Sequence, residues 1–175
     1  MLLLEFITIL LVLQRVSELV LARRNERRTR ARGGVEYGAR HYPIIVLLHV
    51  CWFIAFNAES YVRGGGPTSL WPLWSILFVA AQILRYWAIS SLGEFWNTKI
   101  IVVPGMLSVR SGPYKYIPHP NYVAVLIEFV AVPMLVDAPI TAVVGTVLNV
   151  ALLWSVRIPA ETRALSETKK GHSTL

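Results

Sequence analysis

Five apolar segments of roughly membrane length limit what this chain can fold into. An α-helix rises 1.5 Å per residue, so about 20 apolar residues are needed to cross a hydrocarbon core about 30 Å thick. The segments cover residues 2–22, 42–62, 70–92, 121–136 and 140–156. Hydrophobic residues make up 55% of the 175 residues, as in a small membrane protein. We predict an all-α, polytopic membrane helix bundle of one domain, with about five transmembrane helices.

The fourth apolar segment is shorter than a full membrane span. It has about sixteen residues, which as a helix cover roughly 24 Å. The sequence Asp137-Ala138-Pro139 follows it and is typical of a tight turn. We therefore expect the fourth and fifth segments to form a helical hairpin that does not fully reach the far surface.

Positive charge is concentrated directly after the first apolar segment. The formal net charge is +7, and the arginines in this stretch are Arg23, Arg24, Arg27, Arg28, Arg30, Arg32 and Arg40. Such a run in a soluble protein would indicate nucleic-acid binding, but beside a membrane segment it is typical of a cytoplasmic loop facing anionic lipids. We expect membrane lipids as partners and no nucleic acid. The N-terminus then lies outside, and residues 93–120 and the C-terminal tail lie on the cytoplasmic face.

Several kinds of chemistry find no support in the sequence. Cys51 is the only cysteine, so no intrachain disulfide can form. No cysteine and histidine cluster has the spacing of a metal site, and no glycine-rich phosphate loop is present. No serine has a partnered base at a recognisable spacing. We expect no metal ion.

Polar residues occur inside several of the apolar segments. Arg15 and Glu18 share a helix face, which predicts a structural ion pair. Gln82 and Arg85 are three residues apart and also share a face, and an arginine inside a span must find an anion, water or carbonyl groups. Glu128 is expected to point into the bundle.

The stretch Gly112–Glu128, with the sequence GPYKYIPHPNYVAVLIE, combines a turn with a helix start. Gly112-Pro113 allows a sharp change of direction. His119 is held between two prolines at the beginning of an apolar helix, where Pro120 suits the first position and Asn121 is expected to be the cap. The stretch indicates a binding site; the alternative is a rigid aromatic turn at the membrane surface.

This stretch resembles the isoprenylcysteine carboxyl methyltransferase family of integral membrane enzymes. The family carries a Gly-x-Tyr turn, then Arg-His-Pro-x-Tyr, then a late Arg–Glu pair. The matching elements here are Gly112-Pro113-Tyr114, His119-Pro120-Asn121-Tyr122, and Arg157 with Glu161. Two positions depart from the pattern, because Pro118 replaces an arginine and Thr162 replaces a second glutamate. The resemblance runs from Gln82 to Leu165 and includes LRYWAISSLGEFWNTKI, which places Arg85 toward the site.

The resemblance implies S-adenosylmethionine as methyl donor, S-adenosylhomocysteine as product, and a lipid-like acceptor. It implies a cofactor region at residues 93–122 and 157–165. The cofactor-binding residues it implies are Leu107, Val109, Tyr114, His119, Pro120, Asn121, Tyr122 and Glu161. Arg157 and Arg85 are the implied catalytic residues, and Arg157, Gln82 and Glu128 would contact the acceptor. A surface i, i+4 ion pair is the alternative for Arg157 and Glu161.

The acceptor stays open at this stage. A sulfonium donor is already activated, so a carboxylate acceptor needs no general base, and an acidic enol or phenol loses its proton readily. The first candidate is a prenylcysteine carboxylate. The second is a lipidic hydroxyl such as an alkylpyrone or alkylphenol, because the resemblance extends to bacterial enzymes that methylate alkylpyrones. A non-enzymatic membrane scaffold or a small transporter is a further alternative, although a transporter should show inverted repeats and a midplane site.

Overall fold

A computed structural model describes residues 2–105 and 109–170, with side chains to residue 167. The helices are α1 (Leu2–Ala31), α2 (Tyr42–Val62), α3 (Trp71–Leu92), α4 (Pro120–Leu135), α5 (Pro139–Leu152) and α6 (Ile158–Lys170). The strands are β1 (Val35–Tyr37) and β2 (Ile100–Val102), and short 3₁₀ turns cover Gly93–Phe95 and Gly112–Lys115. The predicted membrane helix bundle is confirmed.

Three helical segments in the described part of the chain are long and apolar enough to cross a membrane. They are Tyr42–Val62, Trp71–Phe95 and Pro139–Glu167. Helix α4 is apolar but has only 16 residues, as the sequence predicts. Helix α1 carries three charged residues within its apolar half. Large apolar side chains cover much of the outer surface, as expected of a bundle that faces lipid.

The last helical segment does not end where the sequence predicts. The fifth apolar segment was expected to stop at residue 156, but α5 continues through a π-helical turn, Leu153–Arg157, directly into α6. Pro159 has no N–H to donate to the preceding turn, and a π turn changes the hydrogen-bond register at this point. The helix therefore continues past the proline, and Arg157 is buried with 6% of its surface exposed.

Aromatic packing holds the centre of the bundle. Trp52 of α2 stacks on Phe129 of α4 with ring centroids 4.5 Å apart, and its indole N–H donates to the Phe129 carbonyl at 3.3 Å. Gly145 of α5 faces the same indole, and a Cβ there would lie 2.7 Å from Trp52 Cδ1. The α2–α5 crossing therefore requires a residue without a side chain at this position.

A carboxylate of α2 caps the N-terminus of α5. Glu59 Oε1 accepts from the Ile140 N–H at 2.9 Å, and Oε2 accepts from the Thr141 N–H and hydroxyl at 2.7 Å each. Asp137, in the predicted turn before α5, has φ +59°. The helical hairpin of α4 and α5 is thus tied to α2 at its turn, because the first N–H groups of a helix lack intrahelical partners.

A two-stranded antiparallel ribbon joins two loops that are distant in sequence. Val35 pairs with Val102 and Tyr37 with Ile100. The ribbon connects the arginine-rich segment after α1 to the segment after α3, and α6 contacts both strands. The described part of residues 93–120 contains β2 and the two 3₁₀ turns. Strands of three residues are too short to show an alternating pattern, so the ribbon was not predicted.

Candidate active site

Helix α4 begins at the His-Pro-Asn-Tyr motif. His119 occupies the N-cap position and Pro120 the first helical position. The predicted cap by Asn121 is wrong, because Asn121 lies inside the first turn and no side chain caps this helix. The ring of His119 stacks on Tyr122 with centroids 5.2 Å apart and an interplanar angle of 19°. The two prolines and this stacking fix the imidazole at the helix mouth.

The Tyr122 hydroxyl lies between Arg157 and Glu161. Arg157 Nε donates to Tyr122 Oη at 3.1 Å, and Tyr122 Oη donates to Glu161 Oε2 at 2.5 Å. His119 Nδ1 lies 3.5 Å from the same carboxylate oxygen. Within residues 2–105 and 109–170, Arg157 and Glu161 form no ion pair with each other. The surface-pair alternative is therefore not what the structure shows: a tyrosine joins the two residues.

Arg157 has one part of its guanidinium left for another molecule. Its Nη2 donates to the Thr98 carbonyl at 2.8 Å, while its buried Nη1 has no protein partner among the described residues. Asn121 Oδ1 and His41 Nε2 are likewise buried without a protein partner. Buried polar groups are nearly always hydrogen-bonded, so these unpaired atoms have capacity for a partner such as water or a polar ligand.

His41 is a site residue that the sequence did not predict. Its ring packs on Gly38, where a Cβ would lie 2.0 Å from His41 Cε1. The next residue, Tyr42, shares a 3.1 Å hydrogen bond with Thr98 Oγ1, and Thr98 in turn accepts from Arg157. Burial and then the charge of Arg157 lower the pKa of His41 below its usual value. Nothing in the spacing of residues 41 and 157 signals that Arg157 influences His41.

The turn at residues 112–115 brings Tyr114 toward the same group. Burial and then the negative charge of Glu161 raise the pKa of Tyr114. Gly112 has φ +55°, and a Cβ there would lie 1.9 Å from Ser91 Oγ on α3, so glycine alone fits this close approach. Pro120 is buried and Val109 is half-buried. Leu107, also predicted to bind the cofactor, lies outside the described residues.

The other predicted site residues belong to a second cluster inside the bundle. Gln82 Nε2 and Arg15 Nη2 each donate to Glu128 at 2.6 Å, and Arg85 pairs with the same carboxylate. Glu18 lies 2.8 Å from Arg15, which confirms the predicted ion pair, and 3.5 Å from Arg85. The two arginines and the two glutamates of this cluster together carry no net charge.

The two clusters are separate in the part of the chain that the structure describes. No hydrogen bond or ion pair joins them, and Tyr122 and Glu128 are six residues apart on α4, about 9 Å along the helix axis. Gln82 Oε1 and Arg85 Nε are buried in the second cluster without a protein partner. The structure thus brings Tyr114, His119, Tyr122, Arg157 and Glu161 together, and groups Gln82, Arg85 and Glu128 with α1.

Comparison with known proteins identifies the family. The sequence model of the isoprenylcysteine carboxyl methyltransferase (ICMT) family matches residues 74–167, more than half of the chain. The chain is 42% identical over 158 residues to the uncharacterized protein YpbQ of Bacillus subtilis, covering 90% of this chain and 94% of that protein. It is 29% identical over 153 residues to an uncharacterized protein of Haemophilus influenzae, covering 87% of this chain and 88% of that protein. No solved structure matches. This helix bundle is therefore a membrane methyltransferase and belongs to the isoprenylcysteine carboxyl methyltransferase family.

Proposed function

We propose that the protein transfers a methyl group from S-adenosylmethionine to an oxygen of a lipid-like acceptor and releases S-adenosylhomocysteine. The observation that carries this proposal is the Tyr122 hydroxyl held between Arg157 and Glu161 at the end of an apolar bundle. One basic and one acidic group are thereby held at a fixed separation. The acidic group suits the ammonium of the donor, and the basic group suits an anionic acceptor oxygen.

The residues around Glu161 fit the donor. A carboxylate suits the donor's ammonium group or its ribose hydroxyls, and the His119 and Tyr122 rings offer stacking surfaces. Asn121 Oδ1 has a free acceptor position for a polar group of the donor. Tyr114, Pro120, Val109 and Leu107 are assigned to the same pocket from the family resemblance. S-adenosylmethionine, when bound, supplies a methyl group on a sulfonium.

Arg157 is the residue that we assign to the acceptor. Its unpartnered Nη1 can donate to an oxygen anion, while bonds to Tyr122 and Thr98 fix the plane of the guanidinium. An acceptor oxygen held by Arg157 would receive the methyl group that the donor supplies, and S-adenosylhomocysteine would leave. The role of the protein is then to hold the oxygen in line and to exclude water.

Arg85, Gln82 and Glu128 are assigned to the acceptor's side of the site. Arg85 and Glu128 are paired within the buried cluster, so these two side chains have little unpaired charge left for a ligand. Gln82 Oε1 and Arg85 Nε each retain capacity for one hydrogen bond. We propose that they position the part of the acceptor that enters the bundle from the bilayer.

A neutral histidine beside Arg157 favours a lipidic hydroxyl as the acceptor. His41 Nε2 is buried and unpartnered, so it can take the proton of an acidic enol or phenol such as an alkylpyrone or alkylphenol. A prenylcysteine carboxylate carries no proton at neutral pH and would not use this group. We propose that the site lies on the cytoplasmic face and the N-terminus outside, since an arginine-rich loop beside a span is typical of the cytoplasmic side.

Binding of S-adenosylhomocysteine to purified protein in detergent, measured by calorimetry, tests the proposal. Lipid extracts and defined acceptors of both classes are then incubated with isotopically labelled donor and analysed by mass spectrometry. Arg157→Ala should abolish the labelled product. Arg163→Ala is the matched control, because Arg163 is an exposed arginine of the adjoining helix α6. Absence of both binding and product in the wild-type protein would favour the scaffold or transporter alternative.

A further inference from the structure

A groove separate from the candidate active site lies between α1 and the end of α3. Its volume is about 300 Å³, and its wall includes Leu21, Arg24, Asn25, Arg28, Ile89 and Gly93. Leu21 and Ile89 are apolar, and the two arginines lie one helical turn apart on α1. An apolar wall next to two cationic groups matches a molecule with a hydrocarbon chain and an anionic head.

The charges of Arg24 and Arg28 are not neutralised by the protein. Neither arginine has an ion pair or hydrogen-bond partner among the described residues, and both are exposed. Glu94, which also lines the groove, is held by Arg32 at 2.5 Å. Glu26 is held by Arg30 and by Lys99 at 2.9 Å each. The nearby carboxylates are therefore already paired with other basic residues, and the positive charges of Arg24 and Arg28 face the groove.

The depth of the groove along α1 matches the phosphate layer of a bilayer. If residues 2–22 cross the hydrocarbon core, as the proposed topology requires, they cover about 30 Å. Arg24 then lies about 3 Å beyond the hydrocarbon, and Arg28 about 9 Å beyond it. The headgroup region extends roughly 5–8 Å on each side of the core. The two guanidinium groups thus bracket the level of the phosphates, and Leu21 lies at the hydrocarbon boundary.

We propose that this groove binds one anionic phospholipid, with the phosphate oxygens contacting Arg24 and Arg28 and an acyl chain lying along Leu21 and Ile89. Guanidinium groups bind phosphate oxygens through paired hydrogen bonds, which a lysine cannot reproduce. The site is distinct from the donor and acceptor positions proposed above. The phospholipid bound in this groove would stabilise the fold and would not be the methyl acceptor.

The floor of the groove connects the lipid site to the candidate active site. Asn25 is buried, and its Nδ2 donates to the Gly93 carbonyl at 3.1 Å and to the Trp96 carbonyl at 2.8 Å. Two residues later, the Thr98 carbonyl accepts from Arg157. A lipid bound in the groove therefore stabilises the segment that positions Arg157, and its binding should raise the thermal unfolding midpoint.

The test measures lipid binding to the detergent-purified full chain by native mass spectrometry and by the thermal midpoint. Phosphatidylglycerol is compared with phosphatidylcholine and with inorganic phosphate. We expect phosphatidylglycerol alone to bind one per chain and to stabilise. The double variant R24Q/R28Q should bind it roughly tenfold more weakly or worse. The readout does not involve methyl transfer, so it is independent of the proposed activity.

The double variant R23Q/R27Q is the matched control. Arg23 and Arg27 have the same spacing on the same helix, are exposed, and do not line the groove. This variant should keep its affinity within about twofold. Equal losses in both double variants would show general attraction to a basic surface and would overturn the proposal. Equal stabilisation by phosphatidylcholine or by inorganic phosphate would do the same. If R24Q/R28Q does not fold, the single variants R24Q and R28Q are compared with R23Q and R27Q.

Discussion

Tyr122 determines how the charged residues of the candidate site are arranged. Its hydroxyl donates to Glu161 and accepts from Arg157, so one small group fixes two side chains from the continuous α5–α6 segment. Arginine and glutamate four residues apart would otherwise pair directly. The tyrosine keeps their charges available for separate partners.

Removing that hydroxyl should weaken both functions of the site at once. Tyr122→Phe keeps the ring that stacks on His119 but removes one partner each from Arg157 and Glu161. We expect donor affinity to fall by about 1–3 kcal/mol, because hydrogen bonds to charged groups are lost, and turnover to fall as well. Calorimetry with S-adenosylhomocysteine and initial rates measure the two effects. Tyr116→Phe is the control, since Tyr116 is 77% exposed, and an equal effect there would refute the assignment.

Alanine substitutions at Arg157 and at Glu161 should impair different properties of the enzyme. Arg157→Ala should keep donor affinity and lose turnover, whereas Glu161→Ala should lose donor affinity first and recover part of its rate at high donor concentration. Arg157→Lys should restore little, because an ammonium cannot reproduce the planar grip of a guanidinium. Donor affinity and initial rate of the three variants in the same membranes distinguish the roles. Identical defects in both alanine variants would contradict the division of labour.

His41 should make the protein sensitive to mild acid. Burial and then the charge of Arg157 lower the pKa of His41 below 6.5, so the unfolded chain binds a proton at a pH where the folded site does not. The resulting stability is present above pH 6.5 and is lost as the pH falls toward the folded-state pKa. Turnover of a lipidic hydroxyl should decrease over the same interval.

The difference between wild type and His41→Gln isolates this effect from the other histidines. Thermal midpoints measured from pH 7.5 to pH 5 should fall more steeply in the wild type than in the variant. Arg157 is the charged group whose influence lowers the pKa of His41 in addition to burial. Parallel curves for the two proteins would show that His41 does not titrate in this interval.

At the scale of helices, Glu59 couples α2 to α5. It accepts from two backbone N–H groups and one hydroxyl at the start of α5. Glu59→Ala should therefore destabilise the bundle by about 1–2 kcal/mol, and Glu59→Gln by less, since an amide oxygen still accepts. Unfolding of the purified protein in mixed detergent micelles measures this. Glu167→Ala, at an exposed glutamate of α6, should change stability little.

The buried cluster should tolerate loss of a carboxylate poorly. Glu128 contacts Arg15 and Arg85, and it is fully buried. Glu128→Ala leaves two arginines facing Glu18 alone, so we expect a loss of about 3–5 kcal/mol. The same unfolding assay measures it, with Glu128→Gln as the less disruptive variant. A folded Glu128→Ala protein of normal stability and without turnover would assign the cluster to the reaction and not to the fold.

For the molecule as a whole, periodicity and length predicted the bundle and the hairpin because these are local properties. The motif residues His119 and Tyr122 lie close to Arg157 and Glu161 in the structure. The family resemblance had grouped these four residues in one cofactor region. The ribbon of β1 and β2 could not be predicted, since three-residue strands carry no pattern and pair across distant loops. His41 was missed for the same reason: only the tertiary structure brings it to Arg157.

The sequence predicted only some of the partners of the polar residues inside the spans. Helix periodicity predicted that Arg15 faces Glu18, because both lie on one helix. It could not predict that Glu128 joins them to Arg85, since that requires the packing of α1, α3 and α4. The predicted cap at Asn121 failed because Pro120 already starts the helix, which moves the N-cap back to His119.

The π turn at Leu153–Arg157 sets how far α6 is rotated about the helix axis relative to α5. Successive residues of a helix are 100° apart, so one residue more or fewer in this turn would rotate α6 by that angle relative to α5. Glu161 would then leave the Tyr122 hydroxyl while every lipid-facing residue of α5 stayed in place. The alignment of the proposed donor and acceptor positions would thus be set by the pitch of one helical turn, independently of the depth of the bundle in the membrane.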